Sequence, residues 1–353
     1  EGQSTIASGS HSHAEGKSTT AKGDYSHAEG ESSLARGSHS HASGLNTVAS
    51  ESYSYAQGRE TIASAPSAHA EGAFTVASGI ASHAEGFFTT ASGDYSHASG
   101  DHTIATGSHS YAQGSASLAS GIASHAEGAF TTASGEYSHA EGGTTKATGN
   151  LSHAEGSNTF ASGDYSHAEG KDTSAYGTYS HTQNGQSIFA YGTSATAIGQ
   201  KNTSYGATSM VQGESTRTYG KNTHAEGGQT YAYGDTSHTE GIGTKTGDFI
   251  AGTVIIDGSS PYSSSGVGAH AEGFYTNARG QYSHTEGSNT QTYGTGSHAE
   301  GSGSITSGEY SHAEGETTIT SGSYSHAEGD TTIASGSYSH AEGDTTTAKG
   351  KWS

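Results

Sequence analysis

Residues 310–343 read YSHAEGETTITSGSYSHAEGDTTIASGSYSHAEG, so one 14-residue unit recurs with little change. Each unit contains two heptads, and most heptads follow the order Ser or Thr, any residue, Ala or Thr, any residue, Gly. This alternation predicts a short β-strand in which one face carries only small side chains. Two heptads then form one coil with two parallel strands. Stacked coils predict a parallel β-solenoid in which identical residues lie above one another.

The same spacing continues through almost the whole chain. Glycine recurs every seventh residue in three runs, 2–177, 185–241 and 266–350, with interruptions only at Glu51 and Ala65. The fold class is therefore all-β, a parallel β-solenoid of about 25 coils. Glycine is expected at the turns, where a positive φ or a close backbone approach excludes other residues. The turn glycines singled out are Gly16, Gly23, Gly30, Gly37, Gly315, Gly322, Gly329 and Gly336.

Breaks in the glycine spacing divide the chain into four segments. Regular repeats occupy 1–183, and phase-shifted, more divergent repeats occupy 184–241. Residues 242–265 lack the repeat, and regular repeats return over 266–353. Because the sequence begins and ends within a repeat, we expect it to be a processed piece of a longer protein.

Composition limits both the fold and the partners. Only 29% of the 353 residues are hydrophobic, the formal net charge is −21, and there is no cysteine. A roll filled with Ala, Ser and Thr buries little apolar area, so we do not expect a single chain to be stable alone. The acidity argues against nucleic acid or an anionic membrane as a partner. No stretch approaches the roughly 20 apolar residues of a membrane span.

The most regular polar feature is a His followed two residues later by a Glu. Residues i and i+2 of a strand share a face, so these pairs predict two adjacent ladders. Because this face hardly varies, it is expected to meet a constrained neighbour, and the favoured interpretation is a trimer interface. The pairs chosen for this role are His13 and Glu15, His27 and Glu29, His69 and Glu71, His83 and Glu85, His125 and Glu127, His139 and Glu141, His312 and Glu314, His326 and Glu328, and His340 and Glu342.

Other interpretations of the ladders stay open. They could form a plain solvated face, or three histidines around an axis could bind a metal ion or an anion. The equivalent face of the other heptad varies freely, as at Ile6, Thr20 and Leu34, and its apolar members make it a second candidate interface. If the ladders line an axis, we expect the assembly to loosen below about pH 4, where Glu is neutral and His is charged.

Enzymatic chemistry receives little support from these residues. A catalytic site is one convergence of groups in a pocket, whereas this pair recurs along the whole chain. We therefore predict no enzyme, no cofactor and no defined metal site. An ice-binding solenoid is a minor alternative, but its Thr residues share the face of Ala and are expected to point inward. Tyr310, Tyr324 and Tyr338 occupy one coil position and are expected to stack.

The non-repeat segment contains the most apolar runs of the chain. It is interpreted either as a protruding contact loop or as an insertion that packs on the roll. The candidate contact residues are Phe249, Ile250, Val254, Ile255, Ile256 and Tyr262.

The paired heptads resemble the YadA-like head repeats of trimeric autotransporter adhesins. Thr196-Ala197-Ile198-Gly199 is close to the strand motif of that family. The resemblance implies a left-handed parallel β-roll, three chains around one axis and an adhesive surface. The Ser-His-Ala-Glu-Gly variant also resembles the shafts of tail fibres and appendages of phages of Gram-positive hosts.

Two departures from the adhesin pattern favour the phage fibre. His and Glu stand where the adhesin motif carries Val and Ile, and the sequence ends at Lys351-Trp352-Ser353 without a stalk or barrel. The expected function is a non-enzymatic structural fibre, the shaft of a phage tail fibre or appendage involved in host attachment. The alternatives are the head of a bacterial cell-surface adhesin and, less favoured, an ice-binding or metal-binding solenoid. The expected partners are two further copies of the chain in a homotrimer, other fibre or baseplate components, and an unidentified receptor. The expected location is the virion surface or the extracellular space.

Overall fold

The computed structural model describes residues 2–248 and 265–353. It is an all-β parallel solenoid of about 24 turns, which confirms the predicted fold class. The chain divides into two compact units, Glu1–Ser166 and His167–Ser353. Within the described ranges, no helix has the length and apolarity required to cross a membrane.

Each regular coil contains one five-residue strand and one two-residue strand. In the first unit the five-residue strands are β3 (His13–Lys17), β5 (His27–Glu31), β7 (His41–Leu45), β9 (Tyr55–Arg59), β11 (His69–Ala73), β13 (His83–Phe87), β15 (His97–Asp101), β17 (Tyr111–Ser115), β19 (His125–Ala129), β21 (His139–Gly143) and β23 (His153–Ser157). The two-residue strands are β1 (Gly2–Gln3), β2 (Ile6–Ala7), β4 (Thr20–Ala21), β6 (Leu34–Ala35), β8 (Val48–Ala49), β10 (Ile62–Ala63), β12 (Val76–Ala77), β14 (Thr90–Ala91), β16 (Ile104–Ala105), β18 (Leu118–Ala119), β20 (Thr132–Ala133), β22 (Lys146–Ala147) and β24 (Phe160–Ala161).

The second unit begins with two longer strands, β25 (His167–Ala175) and β26 (His181–Ala190). Its five-residue strands are β27 (Thr196–Gln200), β29 (Met210–Glu214), β31 (His224–Gly228), β33 (His238–Ile242), β35 (His270–Phe274), β39 (His298–Ser302), β41 (His312–Glu316), β43 (His326–Asp330) and β45 (His340–Asp344). The two-residue strands are β28 (Thr203–Ser204), β30 (Arg217–Thr218), β32 (Tyr231–Ala232), β34 (Lys245–Thr246), β36 (Asn277–Ala278), β37 (His284–Thr285), β38 (Gln291–Thr292), β40 (Ile305–Thr306), β42 (Ile319–Thr320), β44 (Ile333–Ala334) and β46 (Thr347–Ala348).

Successive coils pair in parallel, with identical residues opposite one another. Between β3 and β5, His13 lies opposite His27 and Glu15 opposite Glu29. Backbone hydrogen bonds run from each coil to the next, as from Thr20 N to the Ser33 carbonyl oxygen at 2.9 Å. This register turns a sequence repeat directly into columns of like side chains.

Small side chains fill most of the interior of the roll, as the alternation predicted, and larger side chains are buried at Ile188, Val211 and Asn202 in the second unit. Ala28 and Ala35, from the two strands of one coil, are both completely buried. The Ser26 hydroxyl donates a 2.6 Å hydrogen bond to the Gly23 carbonyl oxygen, so the turn is closed from inside. The Thr residues expected to face inward are buried as well, at Thr19, Thr47, Thr61, Thr75 and Thr89, while Thr5 in the first coil is partly exposed.

Glycine serves two different purposes in each coil. Gly23 and its equivalents Gly37, Gly322 and Gly336 precede the two-residue turn, whereas Gly16, Gly30, Gly315 and Gly329 lie inside the five-residue strands with φ between 98° and 116°. The sequence predicted turn positions for all eight. At both kinds of position the backbone of the next coil lies too close for a side chain. A Cβ at Gly16, for example, would lie 2.1 Å from the Gly30 carbonyl oxygen.

Most left-handed turn positions carry residues other than glycine, the exceptions being Gly243, Gly268, Gly296 and Gly303. Ser18 and Tyr25, each two residues after a heptad glycine, have φ of 58° and 57°. The pattern recurs through both units, although a side chain in this conformation costs roughly 1–2 kcal/mol per residue. Hydrogen bonds between coils hold the backbone in this conformation. The N–H of Tyr25, for example, donates to the Ser10 carbonyl oxygen of the preceding coil at 2.8 Å.

Two irregularities interrupt the second unit. The register of β25 and β26 shifts between Ala168 and Gly170, which absorbs one extra residue and explains the change of glycine phase near residue 184. Further on, His238 of β33 pairs with His270 of β35, so the roll continues across the non-repeat segment. Of that segment, residues 242–248 and Ser265 are described, and Lys245–Thr246 still forms a strand of the roll.

Candidate functional site: the His–Glu ladder

The first and third residues of the five-residue strands form two adjacent columns, here called the His–Glu ladder. Ala between them is buried inside the roll, so His and Glu must point outward. All nine predicted pairs lie on these strands. Away from the ends of the chain, the side chains stay partly covered, with His83 33% and Glu85 40% exposed.

The imidazole and carboxylate of a pair are close but not hydrogen-bonded. The distance from His Nε2 to a Glu oxygen is 3.4 Å at His69 and Glu71 and 3.8 Å at His27 and Glu29, longer than an ordinary hydrogen bond. Similar separations, 3.5 to 4.0 Å, occur at His13 and Glu15, His83 and Glu85, His125 and Glu127, His139 and Glu141, His326 and Glu328, and His340 and Glu342.

The histidine rings stack along the ladder. In the second unit, ring centroids of neighbouring coils are 4.8 Å apart at His298 and His312, with an interplanar angle of 11°. Seven rings stack in this way, from His224 through His238, His270, His284, His298 and His312 to His326, and His340 continues the column at 4.9 Å with an interplanar angle of 50°. The coil rise of the solenoid sets this spacing.

Burial favours the neutral form of many of these imidazoles by lowering the pKa. Desolvation, followed by the charge of the neighbouring histidine, lowers the pKa of His69, and Glu71 opposes the shift. The pKa is lowered with desolvation as the first cause at His41, His69, His97, His125, His181, His238, His270, His298 and His326. The pKa of Glu29 is also lowered, first by the Ser43 hydroxyl, which donates a 2.7 Å hydrogen bond to it.

Pairs without a carboxylate interrupt the ladder at two places in the first unit. His41 and Ser43 are followed by Tyr55 and Gln57, and the same four-coil sequence returns 56 residues later. The later members are His97, Ser99, Tyr111 and Gln113. In both Tyr–Gln coils the phenol donates to the amide oxygen, at 2.7 and 2.8 Å. Sequence reasoning had overlooked this recurrence, although a comparison of residues 56 apart reveals it.

A shallow groove follows the carboxylate column. It is lined by Glu71, Gly72, Glu85 and Gly86 in one stretch, and a similar groove runs past Glu15, Gly16, Glu29 and Gly30. The groove exists because the strand glycines offer no side chain beside each Glu. A neighbouring surface could therefore approach the backbone closely along this edge.

The outer face of the two-residue strands is less uniform. It carries Leu34, Val48 and Ile62 in consecutive coils, then Lys146 further on, and each is at least partly exposed. This face remains the second candidate for contact between chains.

Aromatic columns stand at the turns, outside the ladder. Tyr310, Tyr324 and Tyr338 stack at 5.4 and 5.1 Å, as predicted, and Trp352 extends this column. A further column, which sequence reasoning missed, joins Tyr176, Tyr191, Tyr205, Tyr219 and Tyr233. Phe249, Ile250, Val254, Ile255, Ile256 and Tyr262, the candidate contact residues, lie outside the described residues.

Comparison with protein families identifies the repeat. Residues 28–50, 84–110, 154–180 and 327–350 match the model of the YadA head domain repeat. The 14-residue coils of the parallel solenoid are consistent with YadA-like head repeats. Repeats of this type are structural parts of surface adhesins and fibres, and YadA head domains are extracellular. No curated protein matches the chain.

Proposed function

We propose that this chain is a non-enzymatic structural fibre, the shaft of a phage tail fibre or appendage, in which three chains associate through the His–Glu ladder. The observation that carries the proposal is a single near-invariant face along a solenoid with an interior of small side chains. YadA-like head repeats support the fibre role. The virion surface or extracellular space is the matching location.

The ladder is the better of the two candidate interfaces for three reasons. Its strands are five residues long and offer a wider pleated face than the two-residue strands. Its side chains repeat from coil to coil, which a regular contact with identical chains requires. The groove beside Glu71 and Glu85 leaves room for a partner side chain.

Assembly would also compensate for the low stability expected of a single chain. Apart from Ile188, Val211 and Asn202 in the second unit, the interior is mostly Ala, Ser and Thr, and burial of such residues gives little hydrophobic stabilisation per coil. Burial of the ladder surface between chains would add to the free energy of unfolding, to which the interior of the roll contributes little.

The stoichiometry can be measured directly. We expect multi-angle light scattering after size exclusion to give three times the chain mass of 35.5 kDa. The sample must show β-sheet circular dichroism, so that unfolded chain is not counted. A folded, monodisperse monomer would contradict the trimer.

A cell-surface adhesin is the second candidate function, because YadA-like head repeats occur in such proteins. The replacement of Val and Ile by His and Glu in the strand motif favours the phage fibre. Immunogold electron microscopy on phage particles and on uninfected cells separates the two. Gold along a virion appendage supports the proposal, and gold on the surface of uninfected cells supports the adhesin.

A further inference from the structure

Groups of three metal-ligating side chains occur within one chain along the His–Glu ladder. In the second unit they are His270, Glu272 and His284, and then His298, Glu300 and His312. In each group one ligand atom from every side chain lies within 4.8 Å of the other two. Two further groups lie in the first unit, at His13, Glu15 and His27 and at Glu71, His83 and Glu85.

In the two groups of the second unit, Nε2 of each histidine is buried without a hydrogen-bond partner. Nε2 of His270, His284, His298 and His312 is inaccessible to water and has no hydrogen-bond partner. The nearest carboxylate oxygens stand 3.9 Å from His270 Nε2 and 4.0 Å from His298 Nε2. A buried polar atom without a partner is costly, and a cation between nitrogen and carboxylate would satisfy both.

The spacing fits a small divalent ion after a modest adjustment. Zn²⁺ lies about 2.0–2.2 Å from His nitrogen and carboxylate oxygen, so tetrahedral ligand atoms are about 3.3–3.6 Å apart. Rings stacked 4.8 Å apart would tilt towards each other at Nε2, and the flexible Glu side chain would close the rest of the distance.

The chemistry of the ligands limits which metal ions fit, since imidazole binds a metal ion only in its neutral form. A ligand set of two imidazoles and one carboxylate suits Zn²⁺, Co²⁺, Ni²⁺ or Cu²⁺ rather than Ca²⁺ or Mg²⁺.

We propose that the ladder binds divalent transition-metal ions at sites of two histidines and one glutamate, including those at His270–Glu272–His284 and His298–Glu300–His312. All three ligands come from one chain, so binding does not depend on the trimer. The remaining coordination positions are open to water or to another chain. Coils with Tyr–Gln or His–Ser in place of His–Glu lack the carboxylate and divide the ladder into separate binding stretches.

The test uses the full chain after removal of metal with a chelator. Co²⁺ added to this protein is expected to give the intense visible d–d bands of a four-coordinate site, and Zn²⁺ is expected to abolish them. Calorimetric titration with Zn²⁺ then counts the ions bound per chain. The variant E272Q/E300Q is expected to bind two fewer ions than the unaltered chain.

The matched control is E309Q/E316Q, which removes the same charge from exposed positions outside the ladder in the same unit. It is expected to keep the full number of ions. An equal loss in both variants would show diffuse attraction to an acidic surface and would overturn the proposal. Absence of d–d bands in the unaltered chain would overturn it as well, whether or not the variants fold.

Discussion

Replacement of Gly142 by Ala is expected to destabilise the surrounding coils by about 2–5 kcal/mol. Gly142 has φ of 109°, a conformation that side chains rarely adopt, and its Cβ would lie 2.1 Å from the Gly156 carbonyl oxygen. The overlap is with backbone of the next coil, so no side-chain rotation relieves it. The parallel hydrogen bonds between β21 and β23 would have to open.

The neighbouring residue supplies the control. Gly143 lies on the same strand, has no positive φ, and a Cβ there meets nothing within 4 Å. Gly143→Ala is therefore expected to change stability by less than about 1 kcal/mol. Because repeat arrays open locally, hydrogen–deuterium exchange of peptides that cover β21 and β23 is the appropriate measurement, with thermal melting beside it. Equal exchange in the two variants would contradict the close packing of coils at the strand glycines.

Acid is expected to lower the melting temperature of the protein, and the loss begins near pH 6.5. Several ladder histidines, among them His69 and His125, have a folded pKa below the usual value because burial disfavours the charged ring. The folded state then binds fewer protons than the unfolded state below that pH. The contribution of these histidines to the free energy of unfolding is complete above their unfolded pKa. It is lost as the pH falls through 6.5 towards their pKa in the folded state.

A second, more acidic step comes from the carboxylates. The pKa of Glu29 lies below its usual value, chiefly because Ser43 donates a hydrogen bond to the ionised form. The stabilisation of the folded state by ionised Glu29 is present above the pKa of Glu in the unfolded chain. It is lost as the pH falls through the pKa of Glu29 in the folded state. The sequence suggested only this later step, near pH 4. The histidine step precedes it, because burial could not be judged before the coil was seen.

Thermal melting between pH 8 and pH 3 measures both steps. The control is H11N/H39N/H102N/H109N, which removes four exposed histidines at left-handed turn positions where Asn is well tolerated. This variant is expected to keep the pH dependence of the parent. Loss of the pH dependence in the control, or a melting temperature that does not change with pH, would contradict the role of the ladder.

The sequence predicted the coil, the register and the interior because each depends on local spacing alone. Ala28 and Ser26 face inward for the simple reason that they alternate with exposed residues. The pairing of His13 with His27 follows from the 14-residue period in the same way. Comparison with the YadA head domain repeat agrees with this interpretation.

Other features depend on the shape of the closed coil and were not foreseen. The positive φ falls on Tyr25 rather than on Gly23, because the turn is closed two residues beyond the glycine. The position of Gly16 inside a strand follows from how closely two coils approach. Many ladder histidines have buried Nε2 atoms without hydrogen-bond partners because neighbouring rings cover them. The spacing of residues along the chain does not reveal this burial.

Distances between chains test the central claim, that the ladder faces the axis of a trimer. The chain has no cysteine, so a spin label can be placed at Gln113→Cys on the ladder and at Lys146→Cys on the outer face of the two-residue strands. Pulsed electron paramagnetic resonance on each singly labelled protein gives the separation between equivalent residues of different chains. The proposed arrangement predicts shorter separations at position 113 than at position 146. Shorter separations at position 146, or no coupling between chains at either site, would contradict it.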